Sequence, residues 1–184
     1  MNTTDPYIVT YTGKKVCPVR PDIEQICIED IAHSLSMKCR WNGHTTRFYS
    51  VAQHSVIVSQ LCSHLLAGLL HDAAEAYLSD VATTVKHLFP TMRYAEEIVQ
   101  EVVYERFGVE MTQQEEEILK AADRAVLRLE WEELMNDPEG HGIAVEMEGV
   151  PRVYCQLADC WSPERAESEF LDRFADITEM EDYR

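Results

Sequence analysis

Residues Leu65–Asp80 read LLAGLLHDAAEAYLSD. Leucine and alanine dominate this stretch and only Gly68 opposes helix, so it is predicted as one helix, apolar on most sides and hence the buried centre of the fold. Inside it stands His71-Asp72. Two ionisable groups in such surroundings are costly to bury unless they are paired or hold a cation. At helical spacing Glu75, four residues after His71 and three after Asp72, lies on the same face as both. Asp80 adds a carboxylate just past the helix end.

The flanking sequence supplies further helices. Upstream, Ser50 and Gln53 have the form of a capping box, and Val51, Val58, Leu61 and Leu65 recur behind them at near-helical spacing. An earlier helix begins at Glu29, with Ile31, Ala32, Leu35 and Cys39 or Met37 near one face, and ends before RWNGHTTR. The segment IVTYTGKKV, Ile8 to Val16, places two β-prone runs around Gly13 as a small N-terminal β-hairpin.

Downstream, Pro90 interrupts the chain before an amphipathic stretch from Arg93 to Phe107, with Gly108 just past its end. Thr112 and Glu115 repeat the capping-box form ahead of a long helix whose apolar face is Ile118, Leu119, Ala122, Val126 and Leu129. Asn136 to Val150 holds three glycines and a proline and reads as a loop with room for a short hairpin. Ser162, Pro163 and Glu164 open a last helix reaching about Ile177. With no β–α alternation, the class expected is all-α, an irregular bundle of about six or seven helices. One domain spans 1–184: an N-terminal extension over 1–28, a motif-bearing core over about 29–135, and a loop plus C-terminal helix over 136–184.

Charge narrows the function. Sixteen Lys+Arg against 33 Asp+Glu leave a net charge of −17 over 184 residues, which argues against a nucleic-acid polymer as partner. A hydrophobic fraction of 46% excludes a disordered chain. No apolar run reaches about 18 residues and MNTTDPYIVT lacks the pattern of a signal peptide, so no membrane association and a cytoplasmic location are expected. The six cysteines are irregularly spaced without a C-x-x-C pair, and read as scattered thiols rather than a disulfide framework or zinc ribbon.

Any metal therefore falls to histidines and carboxylates. His54 sits one turn into the helix behind Ser50, and Asp123 interrupts the apolar face of the long helix. His54, His71, Asp72 and Asp123 would bring two imidazoles and two carboxylates from three helices. Such a set suits Mn²⁺, Co²⁺, Zn²⁺ or Fe²⁺ better than Ca²⁺, which takes oxygen alone.

In that order, on helices, H…HD…D resembles the signature of the HD-domain metal-dependent phosphohydrolases. Arg40-Trp41, the string SVAQHS, and HDAAEAYLSD with Glu75 and Asp80 three and eight residues after Asp72 resemble its bacterial 5′-deoxynucleotidase branch. A similar branch contains small phage enzymes that dephosphorylate deoxyadenosine nucleotides. The resemblance covers about residues 29–135. It implies an HD-type helical bundle, His54, His71, Asp72 and Asp123 as metal ligands, and Glu75 and Asp80 as an acid–base pair whose roles it does not separate. It also implies Arg40, Lys86 and Lys120 at the substrate phosphate and Trp41 beside the nucleoside. Lys86 lies six residues past Asp80 and Lys120 one turn before Asp123. The implied cofactor is Co²⁺, Mn²⁺ or Zn²⁺, with Mg²⁺ as an alternative. The implied partners are a small deoxynucleotide and further copies of the chain, as a dimer or larger ring. After Trp41 the chain reads Asn42-Gly43 in place of a bulkier pair, so no base preference carries over.

The activity expected is hydrolysis of the 5′-phosphate of a 2′-deoxynucleotide. The alternatives are a deoxynucleoside triphosphate triphosphohydrolase, of the kind that acts on dATP, and a non-catalytic nucleotide- or metal-sensing module. An internal ion-pair network explains His71, Asp72 and Glu75 but leaves His54, Asp123 and Asp80 as coincidences. His64, His87 and His141 read as hydrogen-bonded core residues. His33 and His44 lean the same way, though either could face the pocket. Glu115-Glu116-Glu117 and the tail EMEDY read as solvated faces, and Met37, Trp131 and Phe170 as packing.

Overall fold

The structure, a computed structural model, describes residues 6–86, 88–137, 157 and 159–182. The N-terminal hairpin forms in its smallest version: β1 (Ile8–Val9) pairs antiparallel with β2 (Lys15–Val16), Ile8 opposite Val16. Thr12, at the hairpin's turn, gives its N–H to Asp30 at 2.7 Å and its hydroxyl to the same carboxylate at 2.9 Å. Those bonds pin the hairpin to α1 (Ile28–Met37), which opens on Glu29 and Asp30, favourable at a helix N-terminus. Ile31, Ala32 and Leu35 are buried as the spacing requires, whereas Met37 is 60% exposed in the last turn and does not pack.

A turn at Arg40–Gly43 leads to α2 (Val51–Leu61). The Ser50 hydroxyl accepts the Gln53 N–H at 3.1 Å, which is half of the expected capping box. The Gln53 side chain is used elsewhere, donating to the Asp159 carbonyl and accepting the Trp161 N–H, each at 2.8 Å. Apart from its C-terminal end, where Leu61 is exposed, α2 is buried almost all round.

The Leu65–Asp80 stretch corrects its prediction. It is not one helix but α3 (Leu65–Leu70), a turn at His71-Asp72, and a 3-10 segment at Ala73–Ala76. In a continuous helix the Ala74 N–H would donate to the Leu70 carbonyl. Here the Gln100 carboxamide is spliced into that bond, accepting the Ala74 N–H at 3.0 Å and donating to the Leu70 carbonyl at 2.8 Å. An inserted side chain is an established cause of helix breaks. Gly68 has a packing reason, since a Cβ there would stand 2.8 Å from the Ser59 Cα of α2. His64 is a cap rather than a core residue, its Nδ1 accepting the Ala67 N–H at 3.2 Å.

After α4 (Thr83–Lys86), α5 (Pro90–Phe107) begins at Pro90 itself, because proline suits the first helical position. Gly108 ends it at φ 67°, a left-handed value that favours glycine. The Thr112–Glu115 capping box is complete and opens α6 (Gln113–Leu134). Leu119, Ala122, Val126 and Leu129 are buried on it, with Ile118 at the exposed margin. Finally α7 (Pro163–Asp182) buries Ala166, Phe170 and Ile177 and runs past the expected end.

The central element is α2, which packs against α1, α3, α6 and α7. One apolar cluster extends from Val16 and Ile26 through α2 and α3 to Ile177, and a smaller one joins Tyr49, Leu129, Leu134 and Leu157. The fold is mainly α, with a two-stranded sheet. Among the described residues no helix is long and apolar enough to cross a membrane, and the described cysteines Cys17, Cys27, Cys39, Cys62 and Cys160 are free. The expected loop from residue 138 onward, His87, His141, Cys155 and Tyr183 lie outside the described residues.

Gln100→Leu removes both halves of the splice and leaves a buried donor and acceptor to re-pair or go unmet, at a cost of about 1–3 kcal/mol. A thermal unfolding midpoint several degrees lower is expected, with Gln100→Glu, which keeps only the acceptor, in between. An unchanged midpoint in Gln100→Leu would show that the turn stands without the amide.

Candidate metal centre

His54 lies in the first turn of α2 and is fully buried. Its Nδ1 meets Glu130 Oε1 at 2.6 Å, and because a carboxylate only accepts, the Nδ1 carries the hydrogen. His71, at the C-terminal end of α3, places its Nδ1 2.8 Å from the Gly68 carbonyl, which again only accepts. Both tautomers are thereby set with bare Nε2 atoms. Those two atoms face each other at 3.2 Å. Two lone pairs at that distance repel unless a positive charge lies between them.

Two carboxylates close on the same point. Asp72 Oδ2 is 3.3 Å from His71 Nε2 and 3.6 Å from His54 Nε2. Asp123 Oδ1, from α6, is 3.2 Å from His54 Nε2 and 3.8 Å from His71 Nε2. Ligands held about 2.0–2.2 Å from one ion stand about 3–3.5 Å apart at right-angled to tetrahedral angles. The spacings found here, 3.2 to 3.8 Å, need little adjustment to meet that. Ligand atoms of His54, His71 and Asp72 all lie within 4.8 Å of one another, and Asp123, outside that tight group, approaches it from the side of the two imidazoles.

Charge fits as well. Asp72, Asp123 and Glu130 contribute three negative charges around the cluster and Arg40 one positive, leaving two uncompensated beside neutral imidazoles. A divalent ion of borderline softness, held by nitrogen and oxygen donors, balances that sum. His54, His71, Asp72 and Asp123 are the residues that could hold it.

Protons respond to the same field when no ion is bound. Burial alone would depress His71, but the Asp72 carboxylate, with Asp123 behind it, lifts its pKa to about 9. Burial and the Arg40 guanidinium oppose protonation of His54, yet Glu130 and Asp123 raise its pKa above the ordinary histidine value. Against the cost of burial, His71 holds the Asp72 pKa well below the carboxylate range, while His54 lowers that of Asp123, and Arg40 with His54 lowers that of Glu130.

Glu75 behaves oppositely. Burial, then the charges of Asp72 and Asp80, push its pKa up to about 9. Its Oε1 lies 3.3 Å from Lys86 Nζ, whose nearer partner is Glu96 at 2.6 Å, and its Oε2 is buried without a hydrogen-bond partner among the described residues. The Lys86 contact would favour the carboxylate, but with Lys86 committed to Glu96 and one oxygen unpartnered, the protonated form prevails near neutral pH. Asp80 is also raised, by burial and then Asp72, while Arg40 and Lys86 oppose. Ser79 before it has φ 140°, an unfavourable value for a residue with a side chain.

Arg40 is buried, its Nη1 3.4 Å from Asp72 Oδ2 and its Nε 3.1 Å from Glu130 Oε2. Trp41 Nε1 donates to Glu130 Oε2 at 3.0 Å, and its ring meets Trp131 edge-on at 5.4 Å. Lys120 is not brought to the cluster. Its side chain is 71% exposed and pairs with Glu116 at 3.5 Å. His44 is exposed, and His33 stacks on Tyr11 and bonds Glu167, away from the ligands.

Three contributors were not found from sequence. Glu130, fully buried, follows Asp123 by seven residues, two helical turns, and so shares its face of α6. That spacing was the available signal. Lys38 donates to the Glu75 carbonyl, and burial depresses its pKa to about 8 against the pull of Glu75 and Asp80. Gln100 carried no sequence signal at all.

The chain is 36% identical over 176 residues to a protein of Escherichia coli (strain K12) named Uncharacterized protein YfdR, spanning 95% of this chain and 97% of that one. It is 37% identical over 138 residues to an uncharacterized protein of Rhodobacter capsulatus, spanning 67% of this chain and 70% of that one. Neither name states an activity. No protein-family model matches the chain.

The raised protons set a pH dependence for the metal-free protein. His71, moved from 6.5 to about 9, contributes stability that is full below pH 6.5 and lost as pH rises towards 9. Glu75, moved from 4.5 to about 9, acts in the same direction, while Lys38, lowered to about 8, acts oppositely only above pH 8. Metal-free protein is therefore expected to lose thermal stability between about pH 6.5 and 8, and His71→Asn to lessen that loss. A midpoint that stays level or rises over this interval contradicts the assigned protonation.

Proposed function

The chain belongs to the family of the Escherichia coli protein YfdR, and we propose that it is a divalent-metal-dependent phosphohydrolase acting on the 5′-phosphate of small 2′-deoxynucleotides. The observation that carries this reading is the pair of Nε2 atoms facing each other at 3.2 Å with Asp72 and Asp123 beside them. The likeness of His54, His71-Asp72 and Asp123 to the H…HD…D signature of HD-domain phosphohydrolases supports it. So does the acid–base equipment around them.

When bound, a divalent cation supplies activation of water near neutral pH and screening of the phosphoryl oxygens. The rest falls to the chain. With a net charge of −17 the protein repels nucleotides at a distance, so cationic side chains must reverse the local sign at the phosphate. Arg40, buried beside Asp72, and Lys86, which exchanges Glu96 for the phosphate, take this role. Lys120, drawn to Glu116 on the surface, is left out of this role.

Glu75 is the group suited to give a proton to the departing 5′-oxygen, since its environment keeps it protonated at neutral pH and its Oε2 has no partner among the described residues. Asp80 then orients the attacking water or receives its proton. Trp41 borders the nucleoside. An orphaned acid is of no use to a module that only senses nucleotide, and weighs against that alternative. A cytoplasmic location, expected from the sequence, and self-association, implied by the resemblance, accompany this reading.

Glu75→Gln keeps the size of the side chain but cannot release a proton. Turnover is expected to fall by about 10²- to 10⁴-fold, with metal content by mass spectrometry unchanged. The assay is a panel of mono-, di- and triphosphates of the deoxy- and ribonucleosides with Mn²⁺, Co²⁺, Zn²⁺ and Mg²⁺ in turn. Orthophosphate from deoxynucleoside monophosphates supports the proposal, and tripolyphosphate from dATP assigns the triphosphohydrolase instead. No release from any member with any metal rejects both.

A further inference from the structure

Among the described residues Glu130 accepts hydrogen bonds from His54, Arg40 and Trp41, each a group that can only donate there. His54 Nδ1–H reaches Oε1 at 2.6 Å, while Arg40 Nε–H and Trp41 Nε1–H reach Oε2 at 3.1 and 3.0 Å. The carboxylate is fully buried. One oxygen therefore orients an imidazole of the metal set, and the other holds the two residues that would meet nucleotide.

The loop on the second oxygen does not hold its shape by backbone preference. Trp41 and Asn42 sit at φ 56° and 50°, left-handed values that are unfavourable for a residue with a side chain. External bonds keep it there: the Arg40 N–H to the Tyr49 carbonyl at 2.9 Å, the Thr46 N–H to the Leu134 carbonyl of α6 at 2.8 Å, and the Glu130 carboxylate. Trp131, next to Glu130, braces the Trp41 ring. The loop thus takes its geometry from α6, the helix that also carries Asp123.

Resting on the metal reading of the site, the geometry points to Glu130 as a positioning residue that couples occupancy of the metal centre to the conformation of the Arg40–Trp41 loop. A cation on His54 Nε2 draws electron density through the ring and strengthens the Nδ1–H bond to Oε1. That fixes the rotamer of Glu130 and with it the acceptor for Arg40 and Trp41. Linkage makes the effect mutual, so a loop held in place tightens metal binding by the same factor. Metal and nucleotide subsites then act as one unit, although Glu130 touches neither ion nor substrate.

Glu130→Gln tests this with almost no change of shape. A carboxamide has one accepting oxygen, so its NH₂ must face either His54 Nδ1–H or the Arg40 and Trp41 donors, and one link is broken. Two readouts on the full chain are used: zinc affinity by calorimetry, and the ¹⁹F signals of protein labelled with 5-fluorotryptophan. Trp41 is one of three tryptophans and is assigned by Trp41→Phe.

In wild type, zinc is expected to shift the Trp41 signal. In Glu130→Gln the affinity falls about 10-fold or more and the Trp41 response to saturating zinc disappears. If Glu130→Gln loses its helical circular dichroism, Trp41→Phe replaces it, removing the Trp41 N–H donor and part of the ring that meets Trp131 while leaving every ligand residue in place, and zinc affinity is expected to drop several-fold. Unchanged affinity in whichever variant folds, or a wild-type Trp41 signal indifferent to zinc, overturns the coupling while leaving the metal centre standing. Wild type that binds no zinc, cobalt or manganese refutes the metal centre, and the coupling with it.

Discussion

Two imidazole nitrogens with their lone pairs aimed at each other across 3.2 Å make a demand that the rest of the molecule is arranged to meet. Each ring is locked in that attitude from behind, His54 by Glu130 and His71 by the Gly68 carbonyl. Asp72 and Asp123 bring negative charge to the same spot. A proton can answer the demand partly, since the neighbouring carboxylates raise both histidine pKa values when no ion is present. A divalent ion answers it in full. Burial makes the constraint strict, since unbalanced charge in a poorly polarisable interior is costlier than at the surface.

The fold serves this point in physical terms that can be traced. α2 is buried almost all round because it must present His54 to the interior while packing against four other helices. α3 stops at Leu70, and His71 and Asp72 lie on the turn that follows it, from which both reach the cluster. Gln100 of α5 meets the backbone needs of that turn. α6 delivers Asp123 and Glu130 two turns apart on one face.

How far this was legible in the sequence depended on whether the signal was local. His71-Asp72 in an apolar run, His54 behind a helix cap and Asp123 on an apolar face all announced themselves as polar residues where polarity is costly, and the structure brings them together. The mainly α class followed from caps and periodicity. The break after Leu70 was invisible because LLAGLLHDAAEAYL is a good helical sequence, and what interrupts it is an amide some thirty residues further along the chain. Lys120 lay at the right spacing from Asp123, but spacing says nothing of rotamer, and Glu116 one turn away holds it outward. Glu130 hid among the many glutamates of an acidic chain, though its place on the buried face of α6 distinguished it.

Anomalous diffraction from crystals of the protein loaded with Co²⁺, recorded on either side of the cobalt edge, tests the centre most directly. The account requires one strong peak about 2.0–2.2 Å from both His54 Nε2 and His71 Nε2, with Asp72 and Asp123 oxygens in the same shell. Cobalt bound elsewhere, or no peak between the rings while they keep their facing arrangement, would mean that the cluster is a protonated ion-pair network and not a metal site.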